Sequence, residues 1–188
     1  MNTYTLLDTA AAVEHLRAGA VIAYPTEAVY GLGCDPDNES AVRKLLAMKG
    51  RHESAGLVLI TSGFSQLERW IAPVDERLKE KAMQTWPGPV TWLFPRGKGV
   101  PDFVAGKHDT VAVRITAHEP SRLLCEAFGS ALISTSANHT SAEPARSAEQ
   151  VNEYFGAELA GILAGQLGEG AKPSEIRDLM SGKVFRQG

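Results

Sequence analysis

A chain of 188 residues, 44% hydrophobic and 22% charged, has the composition of one globular domain and excludes a disordered, collagen-like or coiled-coil protein. Its net charge of −3, with 19 basic residues scattered rather than gathered in an arm, excludes a generic DNA coat. No apolar run approaches the ~20 residues of a membrane-spanning helix, and Met1–Leu7 lacks the basic start and apolar stretch of a signal peptide, so a cytoplasmic chain with no membrane partner is expected.

The predicted elements alternate along the chain. Asp8 or Thr9 caps a helix with an apolar stripe of Ala11, Ala12, Leu16 and Ala18, and Gly19 ends it. Ala20–Tyr24 is an apolar strand stopped by Pro25. A helix over Glu39–Met48 follows the cap candidates Asp37 and Asn38, and Leu57–Thr61 reads as a second buried strand. Helices are expected over Ser65–Ile71 and Asp75–Trp86, the second halted at Pro87. Strands Val90–Phe94 and Thr110–Ile115 flank a loop carrying Gly97, Gly99, Pro101 and Gly106. A helix over Pro120–Phe128 leads into a strand at Ala131–Ser134. The last third holds a helix over Ala148–Phe155 and short strands at Gly161–Leu163, Glu175–Ile176 and Val184–Phe185. This alternation lacks strict βαβ regularity and points to an α/β fold, a mixed sheet flanked by helices, with residues 1–188 as one domain.

Several chemistries are absent from the sequence. No G-x-x-x-x-G-K-[ST] loop exists, since Gly106-Lys107 is followed by His108; there is no H-E-x-x-H, no G-x-S-x-G and no Cys/His cluster. Cys34 and Cys125 lack disulfide-framework or zinc spacing and read as small buried hydrophobes, and no metal-ligating residues are expected. What remains is a site of hydroxyls, backbone amides and a few cations.

Five places supply them. Thr26 offers a hydroxyl at a strand end, and Gly31 and Gly33 either satisfy a tight connection or let backbone approach a neighbouring strand or ligand. Lys49 and Arg51 sit where a helix ends; they either complement its dipole or present a point charge and a planar fork to phosphate. Thr110, Ala112 and Arg114 share one strand face, and an arginine in an apolar strand must snorkel to an edge or pair with an anion. Ser134, Thr135, Ser136 and Asn138 follow a buried strand, either as a self-satisfied turn or as a donor-rich pocket floor. Ser174 and Arg186 lie in the last segments. Convergence of Lys49, Arg51, Arg114 and Arg186 would make an anion pocket in a negatively charged protein.

PTEAVYGLGCD (25–35), KGR (49–51), WPGPVTWLFP (86–95), VAVRIT (111–116), STSAN (134–138) and PSEIRD (173–178), in this order, resemble the YrdC/TsaC family of threonylcarbamoyl-AMP synthases, in its short single-domain bacterial form. The resemblance spans about residue 8 to residue 188. It implies an open twisted sheet with a concave, positively charged face. It also implies a nucleotidyltransferase that makes L-threonylcarbamoyladenylate and pyrophosphate from L-threonine, bicarbonate or CO2, and ATP with Mg2+. The product would pass to a separate tRNA threonylcarbamoyl transferase complex for the t6A modification, and direct tRNA binding is a further partner the resemblance allows.

Carried over by motif, Lys49 and Arg51 are the catalytic pair at the ATP phosphates, with Thr110, Ser136, Asn138 and Arg186 on the nucleotide side. Thr26, Arg114, Ser134 and Ser174 hold threonine, with Arg114 on its carboxylate. Four positions depart from the family pattern: Ala28 where a hydroxyl is common, His52 where proline follows the arginine, Ala55 for a lysine or asparagine, and Ser141 for a glycine. Such chemistry needs alignment and charge stabilisation rather than a protein nucleophile, plus shielding from water, for which loops 97–107 and 139–146 are candidates. The rival reading is an RNA-binding or ribosome-associated module using the same cations; the absence of a basic run and of an aromatic stacking row weighs against it.

Overall fold

Strand residues of this chain bury both faces. Leu59 and Ile60, or Leu132 and Ile133, are neighbours in sequence yet join different hydrophobic clusters, because successive side chains of a strand point to opposite sides. The structure, a computed structural model, describes residues 4–170 and 172–188; of the Met1–Leu7 segment, residues 1–3 lie outside the described residues. Its centre is a ten-stranded mixed sheet, as the sequence led us to expect.

The first half contributes β1 (Leu6–Leu7), α1 (Thr9–Arg17), β2 (Ile22–Pro25), β3 (Tyr30–Gly33), α2 (Glu39–Lys49), β4 (Val58–Thr61) and α3 (Glu76–Met83). The second half contributes β5 (Val90–Pro95), α4 (Asp102–Ala105), β6 (Thr110–Ile115), α5 (Glu119–Phe128), β7 (Leu132–Ser136), α6 (Ala148–Phe155), β8 (Ile162–Leu163), β9 (Glu175–Asp178) and β10 (Val184–Arg186). The spatial order is β1-β8-β2-β3-β7-β4-β6-β5-β9-β10. The pairs β4–β6 and β5–β9 are parallel, and β2–β3, β3–β7, β4–β7 and β5–β6 are antiparallel.

Caps set the helix starts. Asp8, Asn38, Asp75 and Ser147 each accept a hydrogen bond from a backbone N–H of the first turn, which satisfies one of the donors a helix leaves free. On one face α1 and α5 cover Ile22, Ile60 and Leu132 with Leu16 and Leu124. On the other, α2 and α6 pack Leu45 and Phe155 into the cluster of Trp70, Trp92 and Phe94. Each fully buried side chain of this size contributes about 1.5–3 kcal/mol of transfer free energy.

The structure corrects four expectations. Tyr30–Gly33, read as loop, is β3: its two glycines hide a strand because they supply no alternating pattern. A Cβ on Gly33 would stand 2.6 Å from both Ile133 O and Tyr24 Cε1, so these strands pack only with glycine there. Ser65–Ile71 is not a helix but a single 3-10 turn, Phe64–Gln66, followed by turns that bring Ile71 into a lone bridge with Arg96. The helix expected to reach Trp86 ends at Met83, three residues before the cis Trp86-Pro87 bond. The 97–107 loop contains the short helix α4, whose start carries Pro101 and Asp102. Cys34 and Cys125 are both free and buried, and burial pushes the Cys125 thiol up to about 12.

Candidate active site

The β2–β3 turn, the end of α2, and strands β4, β6, β7, β9 and β10 all send residues to one cleft with about 940 Å3 of space between protein atoms, part of it open to solvent. The cleft continues the sheet face covered elsewhere by α1 and α5. Val58 pairs with Ala112 and Ser134, and Ile60 with Arg114, so Arg114, Ser134 and Ser136 project from the face on which Ile60 and Leu132 are buried.

Seven of the ten residues picked from the sequence line this cleft: Thr26, Arg51, Arg114, Ser134, Ser136, Ser174 and Arg186. The Thr26 hydroxyl donates to Val29 O at 2.6 Å and closes the β2–β3 turn. Arg51 lies just past Gly50, whose φ of 59° ends α2, and its Nη2 donates to Gly56 O at 2.9 Å. Arg186 donates from Nε and Nη2 to Ser174 O, at 2.9 and 2.6 Å, and the Ser174 hydroxyl meets that of Thr91 at 2.9 Å. The C-terminal hairpin is thereby fixed to the cleft wall.

The other three stand outside the lining. Lys49 is 4% exposed, and its ammonium donates to Ser136 O and, at 2.7 Å, to Asn138 O. Asn138 turns inward: its Oδ1 accepts from Ser136 Oγ at 2.5 Å and its Nδ2 donates to Ala142 O at 2.7 Å. Thr110 shares the face of Arg114 but sits at the far end of β6, opposite Pro95.

Four cations (Arg51, Arg114, Lys172, Arg186) and one carboxylate (Glu27) line the cleft. Their mutual influence shows in their titration. Burial pulls Arg186 below the usual arginine range and the charges of Arg114 and Arg51 pull it further; burial and then Arg51 bring Lys49 down to about 8. Arg51 Nε and Arg114 Nε are buried and donate to no acceptor among the described residues. Buried guanidinium donors without a partner are costly, so these two mark where a ligand's oxygen belongs.

Sequence reasoning missed Glu27 and Lys172. Glu27 Oε2 is 2.6 Å from Arg114 Nη1, and its Oε1 accepts from Thr116 Oγ1 at 2.7 Å. Burial alone would raise this carboxyl; Arg114 and Thr116 hold it below the ordinary range. Its signal in the sequence was the arginine itself, which a buried strand position obliges to find an anion. Residues 168–170 cross the turn as a strap: Gly168 N donates to Thr26 O and Gly170 N to Glu27 O, at 3.0 and 2.7 Å, and Lys172 and Ser174, which follow, line the cleft. Loops 97–107 and 139–146 contribute no lining residue.

The departures are also placed. Ala28 is buried in the cleft wall. His52 Nδ1 accepts from Ser54 N and caps the 3-10 turn Glu53–Ala55, at whose end Ala55 is exposed. Ser141 keeps the left-handed turn that glycine would favour, with φ 70°.

The family model Sua5_yciO_yrdC, described as telomere recombination, matches residues 14–188. The chain belongs to this family. Two similar Sua5/YciO/YrdC proteins, both named threonylcarbamoyl-AMP synthase, come from Halorhodospira halophila and Alkalilimnicola ehrlichii. The first is 49% identical over 94% of this chain and 92% of its own, the second 51% identical over 91% and 90%. The crystal structure of P. abyssi Sua5 complexed with L-threonine is 33% identical with a TM-score of 0.87 over 93% of this chain. The present Sua5/YciO/YrdC chain spans about half, 52%, of that protein. Among its described residues no helix is long and apolar enough to cross a membrane.

For this Sua5/YciO/YrdC chain a protein-held Mg2+ does not fit the cleft. Magnesium favours carboxylate and phosphate oxygens, yet Glu27 is the one carboxylate lining the cleft among the described residues, its Oε1 accepts from Thr116 and its Oε2 faces the Arg114 guanidinium, and no group of three or more metal-ligating side chains stands among the described residues.

Proposed function

We propose that this chain is a threonylcarbamoyl-AMP synthase, a nucleotidyltransferase that combines L-threonine, bicarbonate and ATP into L-threonylcarbamoyladenylate, pyrophosphate and water. The observation that carries this reading is the pair of buried, unpartnered guanidinium donors on Arg51 and Arg114 in one cleft with Arg186. Such donors suit a triphosphate and an amino-acid carboxylate. The named relatives and the threonine complex of P. abyssi Sua5 support the same choice.

In this reading the cleft works by alignment. Arg51 and Arg186 take the nucleotide's phosphates, Arg114 the threonine carboxylate, and Thr26, Ser134 and Ser174 surround the amino acid. The carbamate formed from threonine's amine then meets the α-phosphorus in line with the departing pyrophosphate, whose growing charge the guanidinium groups stabilise. No protein nucleophile is required. Lys49 and Asn138 act through the loop they hold, and Mg2+ belongs to the nucleotide substrate. The product, a reactive mixed anhydride, is assigned to t6A formation on tRNA by a separate transferase in the cytoplasm.

Pyrophosphate release that requires threonine and bicarbonate together tests the proposal. Release from ATP alone, or steeply salt-dependent tRNA binding without turnover, would replace it with a nucleotide sensor or an RNA-binding module.

A further inference from the structure

We propose that Glu27 receives the α-ammonium group of the amino-acid substrate and takes the proton it must lose; this rests on the synthase reading above. A carboxylate in a cleft lined by four cations opposes the binding of an anionic nucleotide, so its presence calls for a purpose. One purpose is to neutralise Arg114, which is 6% exposed in a strand otherwise apolar. The details go beyond that.

Glu27 is aimed as well as paired. Thr116 Oγ1 accepts from His118 N at 3.2 Å, which directs the hydroxyl hydrogen of Thr116 to Glu27 Oε1. The strap's Gly170 N fixes the Glu27 carbonyl. Arg114 in turn is not used up by Glu27, because its Nε has no acceptor among the described residues. A guanidinium with a spare donor beside an anchored carboxylate is the complement of an α-amino acid head group, whose carboxylate and ammonium sit on one carbon. The substrate carboxylate takes the spare donor of Arg114, and the ammonium meets Glu27.

The chemistry then follows from charge. Before nitrogen can attack a one-carbon unit it needs its lone pair, so one N–H bond breaks and one O–H bond forms on Glu27. The ammonium becomes an amine, the carboxylate a carboxylic acid, and the net charge of the cleft is unchanged. Glu27 is a poor base while Arg114 serves it alone. Once the substrate carboxylate shares Arg114, the carboxyl is freer to accept a proton. The groups around it act in one direction. Arg114 on β6, Lys172 after the strap, and Arg51 and Arg186 on the cleft wall are cations that favour the neutral amine; His118 meets Thr116 through its backbone N–H, and Glu169 on the strap is exposed. The proton goes to water as the product leaves.

Glu27→Gln tests this, with pyrophosphate release followed from pH 7 to 9.5. The ratio of variant to wild-type kcat/KM for threonine is expected to be about 10−2 to 10−3 at pH 7 and to rise about tenfold per pH unit toward the ammonium pKa of free threonine. Taking the ratio at each pH cancels the titration of Lys49. A ratio constant with pH means that Glu27 only neutralises Arg114, and overturns the proposal. A second measurement needs no variant: 2,3-dihydroxybutanoate, threonine's counterpart without nitrogen, should bind the wild-type protein at least tenfold more weakly than threonine. Equal binding overturns the proposal too. Wild-type protein with no turnover dependent on threonine and bicarbonate would instead remove the synthase reading itself.

Discussion

The Lys49 ammonium donates to the Asn138 carbonyl at 2.7 Å across 89 residues of sequence, joining the last turn of α2 to the loop after β7. The joint is double, since Thr140 Oγ1 donates back to Lys49 O at 2.8 Å. The lysine sits behind the lining residues, so it acts on a ligand through its charge and through the position of Ser136.

That charge titrates within reach. Burial and Arg51 set the free ammonium near 8, and an anion bound in the cleft favours its protonated form. The bound pKa is therefore higher than the free one, so binding takes up protons between them and affinity falls as pH rises through 8. Calorimetric titration of ATP at pH 8.5, in buffers of different ionisation enthalpy, should show uptake of a fraction of a proton. Lys49→Arg keeps the charge and should abolish the uptake. Uptake of equal size in the variant would assign it to another group.

Ser141 is the one non-glycine residue at positive φ among the described residues, and it is exposed. An L side chain in this conformation costs about 1–2 kcal/mol, part of which glycine recovers against its greater freedom in the unfolded chain. Ser141→Gly should stabilise the protein by about 0.5–1 kcal/mol, seen as a higher urea midpoint at unchanged m-value. A lower midpoint would mean that the serine compensates for its backbone.

Much of this was legible in the residues because local rules agreed with the global fold. The cap candidates Asp37 and Asn38 announced α2, and the apolar run with Arg114 at its end announced β6. What stayed hidden depended on partners remote in sequence. Tyr30–Gly33 is a strand because Tyr24 and Ile133 leave space only for glycine beside them. The segment Ser65–Ile71 has helical composition but yields to the bridge between Ile71 and Arg96. Motif arithmetic found the cations and hydroxyls of the cleft; Arg114 in its apolar strand signalled that an anion must meet it, but nothing local singled out Glu27, 87 positions earlier in the chain, as that anion.

The strap offers a local test. Gly170 has no room for a side chain: a Cβ there would stand 2.7 Å from Glu27 O and 3.3 Å from Ala28 Cβ. Gly170→Ala forces the strap away from the turn and removes its bond to Glu27 O, at a cost of about 1 kcal/mol. Because the displaced segment leads to Ser174 on the proposed amino-acid side, KM for threonine should rise several-fold more than KM for ATP. An equal rise in both would place the strap over the nucleotide as well.

Arg51 separates function from stability most sharply. A residue kept for the fold is satisfied by the fold, yet Arg51 is partly buried beside other cations, its Nε donates to no acceptor among the described residues, and burial holds its guanidinium below the usual range. The bond from its Nη2 to Gly56 O offsets only part of that burial cost. Arg51→Met should leave the urea midpoint unchanged or raise it, since methionine fills the space of the stem and removes a repelling charge. The same variant should lose at least 100-fold in threonine-dependent pyrophosphate release, because the phosphates lose a bidentate partner. Retained turnover with a midpoint shifted down by more than about 1 kcal/mol in ΔG would make Arg51 a prop for the 50–56 turn, and the cleft's anion site would have to be rebuilt around Arg114 and Arg186 alone.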